Sequence, residues 1–126
     1  MQNDSNHKIL IVEDDDAIRN LYTMKLQREG FTTAEACNGS HGLKEAKTFA
    51  PDLILLDLRM PVMSGDEMLI RLRETDWGSS MRVVILTNIS KSEAPHSLRF
   101  LRVDRYVVKV HHTPTQVVEM VKEILS

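Results

Sequence analysis

Four short apolar runs, each followed by a polar or charged residue, constrain this chain more than any other feature. Residues 9–12 run into Glu13 and Asp14, residues 53–56 into Asp57, residues 83–86 into Thr87, and residues 106–108 into Lys109. Short, nearly continuous apolar runs are typical of strands buried on both faces of a parallel sheet. The carboxyl ends of such strands share one rim, where α/β proteins bind ligands. We therefore expect three carboxylates, a hydroxyl and an ammonium group to converge there.

Helical patterns alternate with these runs, and a weaker, more polar run at residues 31–36 adds a fifth strand, expected at an edge. The first helix is expected to begin at Asp15 or Asp16, either of which can cap it, and to stop at Gly30. Ser40 is expected to cap the second helix. Alternation of five strands with five helices predicts an α/β fold with a doubly wound parallel sheet.

The last two predicted helices differ in the strength of their signals. Pro95, Leu98 and Leu101 indicate a short fourth helix, although the pattern over residues 88–104 is the weakest in the chain. The final helix is the clearest, because Thr113 and Gln116 flank a proline at its first position in a capping-box arrangement. An apolar stripe at helical spacing follows it.

Composition limits the function classes. The 126 residues suit one domain, residues 1–126, with a polar N-terminal tail at residues 1–7. A formal net charge of −2 gives no sign of a basic nucleic-acid surface. No apolar stretch approaches the roughly 20 residues that span a bilayer. The single cysteine, Cys37, fits a reducing cytoplasm and is expected to be a half-buried structural residue rather than a nucleophile.

The convergent groups indicate phosphate chemistry at the rim. Three crowded carboxylates disfavour simultaneous ionisation unless a cation lies among them, and Mg²⁺ is the simplest such cation. Lys109 adds a positive charge suited to carboxylate or phosphate, and Thr87 adds a hydroxyl donor. Among such neighbours Asp57 fits a nucleophile that becomes an aspartyl phosphate better than it fits a general base.

Each residue also has an ordinary interpretation when taken alone. An aspartate after a strand is more often a helix cap or a turn residue, and residues 13–16 could form a solvated acidic loop. Lys109 could be a surface charge, Thr87 a strand former and Tyr106 a surface aromatic. The functional interpretation is favoured because four separate strand ends each carry a required group.

In combination, these motifs resemble the bacterial response-regulator receiver domain, of the chemotaxis-regulator-like kind. The resemblance covers residues 8–125 and is carried by VED, LLDLRMPVMSG, ILT and YVVK. It implies the flavodoxin-like three-layer sandwich with strand order 2-1-3-4-5. It implies that Asp57 accepts the phosphoryl group, that Thr87 and Lys109 contact it, and that Thr87 and Tyr106 form the switch pair. It implies that Arg59 and Ile89 set the lifetime of the phosphoryl group. The Mg²⁺ ligands that it implies are Glu13, Asp14, Asp57 and the backbone carbonyl of Arg59.

The resemblance also implies partners. A sensor histidine kinase or phosphotransfer protein would donate the phosphoryl group, with Mg²⁺ as cofactor. The face formed by the fourth helix, fifth strand and last helix would then change and contact a downstream protein target, as a monomer or a weak dimer. Such a protein catalyses its own phosphorylation and dephosphorylation and is not a turnover enzyme on an external substrate. Neither nucleic acid nor membrane is expected as a direct partner.

Two alternatives stay open at this point. One is a phosphohydrolase of the haloacid-dehalogenase group, which also uses an aspartate nucleophile after a strand, although its DxD signature is lacking here. The other is the receiver part of a larger regulator; a stand-alone receiver is favoured because the final helix carries only Lys122 as a cation. Two departures from the family are Val110, where proline is usual after the lysine and the peptide is cis, and Asn88, where a small residue is usual. We expect the Lys109–Val110 peptide to be trans or strained.

Overall fold

A five-stranded parallel sheet in the order β2-β1-β3-β4-β5 forms the centre of the computed structural model, which describes residues 7–126. The strands are β1 Lys8–Val12, β2 Thr32–Ala36, β3 Leu53–Leu56, β4 Arg82–Thr87 and β5 Arg105–Val108. The helices are α1 Asp16–Arg28, α2 Gly39–Phe49, α3 Gly65–Arg73 and α4 Pro114–Leu125. The predicted strand order and flavodoxin-like architecture are confirmed.

Strand register brings the predicted reactive ends side by side. Val12 of β1 lies opposite Leu56 of β3, so Glu13 and Asp57 follow neighbouring strand ends. On the other side of β3, β4 pairs with β5, with Thr87 opposite Val108. The weak second strand is an edge strand, as its polar sequence predicted.

Two apolar layers, one on each face of the sheet, form the core. Successive side chains of a strand point into opposite layers. In β1, Ile9 and Ile11 lie in one layer, and Leu10 and Val12 lie in the other. Helices α1 and α4 cover the first layer, and α2 and α3 cover the second. Burial on both faces explains why the central strands are apolar without alternation.

The helix starts agree in part with the sequence. Asp15 caps α1 by accepting the Ile18 amide at 2.9 Å, and α4 begins with the predicted capping box. The predicted Ser40 cap of α2 is wrong, because Asn38 accepts the amide of His41 at 2.8 Å. An amide side chain in an extended residue makes the better cap, so the helix begins earlier than expected.

The predicted fourth α-helix is also wrong. Two 3₁₀ segments, Lys91–Glu93 and His96–Phe100, connect β4 to β5. The Leu98 and Leu101 spacing that indicated a helix suits a 3₁₀ turn equally, because side chains three residues apart lie above one another there. At the end of this segment the backbone of Arg102 is left-handed, with φ at 53°.

The structure also tests the expectations for Cys37 and for the peptide that follows Lys109. Cys37 is exposed rather than half-buried, since it follows the edge strand β2. The peptide between Lys109 and Val110 is trans, and no peptide within residues 7–126 is cis. Most of the expected polar tail, residues 1–6, lies outside the described residues. Among the described helices, none has the length and apolar character that a membrane crossing requires.

Candidate functional site

Three carboxylates meet at the carboxyl ends of β1 and β3. One oxygen from each of Glu13, Asp14 and Asp57 lies within 4.8 Å of the others. Glu13 and Asp57 are only 4% and 7% exposed, whereas Asp14 is exposed. The sequence prediction that these carboxylates converge at one rim is therefore confirmed.

Backbone contacts fix the direction of both buried carboxylates. Asp57 Oδ1 accepts the amide of Leu58 at 2.7 Å, and Glu13 Oε2 accepts the amide of Asp15 at 3.0 Å. Behind Asp57, the amide of Gly65 donates to the Leu58 carbonyl at 2.9 Å. A Cβ on Gly65 would lie 2.0 Å from the Asp57 carbonyl oxygen, so only glycine allows α3 to begin this close to β3.

Lys109 extends from the end of β5 into this acidic group. Its Nζ lies 2.6 Å from Glu13 Oε1 and 3.4 Å from Asp57 Oδ2. Burial opposes the charged form of the lysine, but the hydrogen bond to Glu13 and the charge of Asp57 raise the pKa of Lys109 above its ordinary value. Burial also raises the pKa of Glu13, against the hydrogen bond from Lys109. One ammonium thus serves two buried carboxylates.

The donor set suits a hard divalent cation. Mg²⁺ prefers oxygen ligands and commonly takes one or two carboxylates while it keeps several waters. The three carboxylates can supply those oxygens, and the exposure of Asp14 leaves the group open to solvent. Lys109 neutralises only part of the charge of three carboxylates. The residues present therefore fit the magnesium ion that the sequence predicted.

Thr87 and Tyr106 are linked through one short turn. Thr87 is 1% exposed at the end of β4, and its Oγ1 accepts the amide of Ile89 at 3.4 Å. The hydroxyl of Tyr106 donates to the carbonyl of Ile89 at 2.7 Å. Burial and the charge of Asp57 raise the pKa of Tyr106. The two predicted switch residues therefore hydrogen-bond to the same residue, Thr87 to the amide of Ile89 and Tyr106 to its carbonyl.

The remaining predicted residues lie on the loops that follow β3 and β4. Arg59 is exposed, Asn88 is exposed and Ile89 is half-buried. No hydrogen bond or ion pair holds the Arg59 side chain within residues 7–126. The predicted roles of Arg59 and Ile89 in phosphoryl lifetime stay predictions, as does the Arg59 carbonyl as a ligand.

Sequence reasoning missed Arg19 of α1 as a support of the acidic group. Its Nη1 donates to the carbonyl of Glu13 at 2.8 Å, and its other nitrogens contact Asp16 and Glu35. The signal available in the sequence was a cation one helical turn after a capping aspartate. Arg19 therefore fixes the backbone that carries Glu13 and Asp14.

Comparison with known proteins agrees with this geometry. The family model for the response regulator receiver domain matches residues 9–122. The sporulation initiation phosphotransferase F of Bacillus subtilis is 42% identical over 82 residues, which cover 65% of this chain and 64% of that protein. The transcriptional regulatory protein ResD of the same organism is 35% identical over 127 residues, covering 99% of this chain and 50% of ResD.

A solved structure is similar over almost the whole chain. The response regulator TrrA of Thermotoga maritima is 32% identical, with a TM-score of 0.81, and the match covers 94% of this chain and 98% of TrrA. The chain spans between 34% and 64% of the length of three curated relatives that it matches. Since the family model spans nearly all the described residues, this chain belongs to the response regulator receiver domain family of two-component systems.

Proposed function

We propose that Asp57 accepts a phosphoryl group from a sensor histidine kinase or a phosphotransfer protein in a Mg²⁺-dependent reaction. The observation that carries this proposal is the buried Asp57 carboxylate, which lies beside Lys109 and within 4.8 Å of the Glu13 and Asp14 oxygens. The Thermotoga TrrA structure holds a Mg²⁺–BeF complex, which supports the same chemistry in a relative.

In the proposed reaction, an oxygen of Asp57 attacks the phosphorus of a donor phosphohistidine. The phosphorus–nitrogen bond breaks and an acyl phosphate forms. The nitrogen keeps the electron pair of the broken bond, and the donor ring, protonated on its other nitrogen, leaves as neutral imidazole. Glu13, Asp14, Asp57 and the Arg59 carbonyl would hold the Mg²⁺, which would supply positive charge for the phosphoryl oxygens. The Leu58 amide holds the Asp57 carboxylate in place, and the Lys109 ammonium contacts the transferred group.

The response to phosphorylation follows from the linked turn. We propose that Thr87 moves inward to donate to the phosphoryl group and gives up its bond from the Ile89 amide. The Ile89 carbonyl, which Tyr106 holds, then shifts, and Tyr106 moves with it. Phosphorylation thereby biases a two-state equilibrium of the face around β5 and α4. In Thr87→Ala, phosphorylated protein should show no NMR shift at Tyr106, and a full shift there contradicts this coupling.

The proposed function is tested with acetyl phosphate and Mg²⁺. Wild type should gain the mass of one phosphoryl group, and Asp57→Ala should gain none. Asp76→Ala, which removes an exposed aspartate far from the group, is the matched control and should be phosphorylated like wild type. Phosphorylation of Asp57→Ala, or its persistence in the presence of EDTA, would overturn the proposal.

The predicted long phosphoryl lifetime is also part of the proposal. We propose that the side chains of Arg59 and Ile89, on the loops that follow β3 and β4, hinder the approach of the hydrolytic water to Asp57. Arg59→Ala with Ile89→Ala should therefore speed the loss of the phosphoryl group. An unchanged hydrolysis rate in Mg²⁺ would contradict this role.

We propose that the domain works in the cytoplasm as a stand-alone receiver that acts by protein contact. Lys122, the cation of α4, bonds Glu29 at 2.9 Å and is thus engaged within the chain. The second candidate, the receiver part of a larger transcriptional regulator, is favoured by ResD and similar relatives, which are about twice as long as the match. Reading the complete gene for a following DNA-binding region distinguishes the two.

A further inference from the structure

Arg19 of α1 is an arginine whose three side-chain nitrogens are all engaged beside the three carboxylates of the candidate site. Its side chain is 13% exposed, and its Nη1 donates to the carbonyl of Glu13 at 2.8 Å. Its Nη2 donates to Asp16 Oδ1 at 2.5 Å, and its Nε donates to Glu35 Oε1 at 3.3 Å. One side chain thus joins the end of β1, the first turn of α1 and the edge strand β2. We call Arg19, Asp16 and Glu35 the arginine cluster.

The carbonyl that Arg19 holds belongs to the peptide between two of these carboxylates, Glu13 and Asp14. On the other side of the same residue, the Glu13 amide donates to the carbonyl of Ala36 in β2 at 3.0 Å. The Glu13 carboxylate is also held directly, by the Lys109 ammonium. The exposed Asp14 side chain, by contrast, has no hydrogen bond or ion pair within the described part of the chain. Its direction therefore depends on the peptide that Arg19 holds.

The positive charge of Arg19 is compensated within the arginine cluster. An unpaired guanidinium this close to the three carboxylates would weaken the binding of a divalent cation by repulsion. Although burial opposes the charged form, the hydrogen bonds to Asp16 and Glu35 raise the pKa of Arg19. The Asp16 side chain is 82% exposed and that of Glu35 only 36%. Water screens an exposed pair more strongly, so Glu35 is the more effective partner.

Two effects of Arg19 on cation binding have opposite signs. Loss of its charge would strengthen the attraction of the three carboxylates for a divalent cation, by about twofold at physiological salt because charges are screened there. Loss of its hydrogen bond to the Glu13 carbonyl would let the Asp14 carboxylate turn away into solvent. Groups that orient metal ligands commonly change the affinity for the metal by about tenfold or more. The effect on orientation is therefore the larger one.

We propose that Arg19 positions Asp14 for Mg²⁺, and that Glu35 of the edge strand holds Arg19 in place and neutralises its charge. Neither side chain touches the ion, so both are positioning residues. The inference rests on the proposed function, because it concerns the Mg²⁺ affinity of the same three carboxylates. It also gives a role to β2, the strand that carries none of the site residues predicted from sequence.

The test measures the Kd for Mg²⁺ of the whole unphosphorylated chain, from the shifts of backbone amide NMR signals during titration with magnesium chloride. Arg19→Met keeps the apolar stem and removes the guanidinium, and its Kd should rise on the order of tenfold. Arg19→Lys keeps the charge and a donor, so it should recover part of this loss. Unchanged amide signals of β3 and β4 should show that both variants fold.

The role of Glu35 is tested with Glu35→Gln, which removes the charge and keeps an oxygen that can accept from Arg19. Its Kd for Mg²⁺ should rise about threefold at low salt, because the charge of Arg19 is then less compensated. This rise should shrink at high salt, where charges are screened. The effect of Arg19→Met should persist there, because it is an effect of position.

Two matched controls make the same changes at exposed positions away from the three carboxylates. Arg28→Met lies in the last turn of α1, and Glu74→Gln lies at the C-cap of α3. Both should bind Mg²⁺ within about twofold of wild type, because distant charges are screened. Tighter or unchanged Mg²⁺ binding in Arg19→Met, or equal weakening in Arg28→Met, would overturn the proposal for Arg19. An unchanged Kd in Glu35→Gln at low salt would overturn the role of Glu35.

Failure of this inference is distinguishable from failure of the proposed function. The Kd for Mg²⁺ is measured without a phosphoryl donor, so weaker binding in Arg19→Met than in Arg28→Met supports the inference even if acetyl phosphate does not modify Asp57. Conversely, phosphorylation of Asp57 in wild type, with equal Mg²⁺ affinities in the two arginine variants, overturns the positioning role and leaves the proposed function standing.

Discussion

The half of the sheet formed by β2, β1 and β3, which we call the first half, is built differently from the second half, formed by β4 and β5. Strands β1 and β3 are almost fully buried, and capped helices follow β1, β2 and β3. Beyond β4 the chain instead passes through two 3₁₀ segments to reach the edge strand β5. The carboxylate group is carried by the first half, and Thr87 and Tyr106, the proposed switch pair, lie in the second. The proposed chemistry therefore lies on regular elements, and the proposed response lies on a segment with less regular backbone hydrogen bonding.

Hydrogen bonds from one side chain, that of Arg73, support the connection between β4 and β5, where no α-helix forms. Arg73, at the end of α3, donates to the carbonyls of Leu101 at 2.8 Å, Met81 at 2.7 Å and Arg102 at 2.7 Å. Burial lowers the pKa of Arg73, as expected for a cation partly removed from water. One guanidinium thus joins α3, the residue before β4 and the end of the irregular segment.

The largest effect is expected in the rigid half, from Gly65→Ala. The added Cβ would lie 2.0 Å from the backbone carbonyl oxygen of Asp57, which cannot move without displacing the end of β3. We expect a loss of about 3 kcal/mol in the free energy of unfolding, measured by urea denaturation.

Gly42→Ala is the control for this prediction. Its Cβ would meet the flexible Met68 sulfur at 2.8 Å, and alanine favours the helix, so the change should stay below about 1 kcal/mol. Equal losses from the two substitutions would show that the start of α3 is no more tightly packed than the buried face of α2. The inferred requirement for glycine where α3 meets β3 would then be wrong.

The second prediction concerns Arg73→Met, which keeps an apolar stem and removes the guanidinium. Several carbonyls lose a charged donor, so stability should fall by about 2 kcal/mol. Amide hydrogen exchange should accelerate first in residues 95–104 and not in β1 or β3. Arg71→Met is the control. Within residues 7–126 the Arg71 guanidinium hydrogen-bonds only to the exposed Glu67, so its loss should change stability by less than about 0.5 kcal/mol. Uniform acceleration over the whole sheet would contradict local support by Arg73.

The first half of the molecule could be predicted from sequence because its signals are local. Apolar runs locate the buried strands, and the residue after each run lies at the rim, as Glu13 and Asp57 do. The capping box at Thr113 and Gln116 equally needs only four consecutive residues. Parallel pairing then brings the separate strand ends together without any further information.

The connection between β4 and β5 could not be predicted because its support comes from distant residues. In the sequence Arg73 is an ordinary polar residue near a helix end, and nothing there indicates that it binds carbonyls 28 and 29 residues later. The bond from Tyr106 to the Ile89 carbonyl is likewise non-local. A three-residue apolar spacing could not distinguish a 3₁₀ turn from an α-helix, so an α-helix was predicted where a short 3₁₀ helix forms.

The smallest expected effect, from Tyr106→Phe, tests whether the switch residue also supports the irregular half. The substitution removes the hydroxyl that donates to the Ile89 carbonyl at 2.7 Å, which should cost about 1 kcal/mol of stability. Exchange of the Ile89 and Ser90 amides should accelerate. Tyr22→Phe is the control, because the hydroxyl of this buried tyrosine makes no hydrogen bond within residues 7–126 and its removal should be nearly neutral. Equal effects of the two substitutions would mean that the Tyr106 hydroxyl adds nothing to the turn. The hydrogen bonds of Thr87 and Tyr106 to Ile89 would then not couple the two residues.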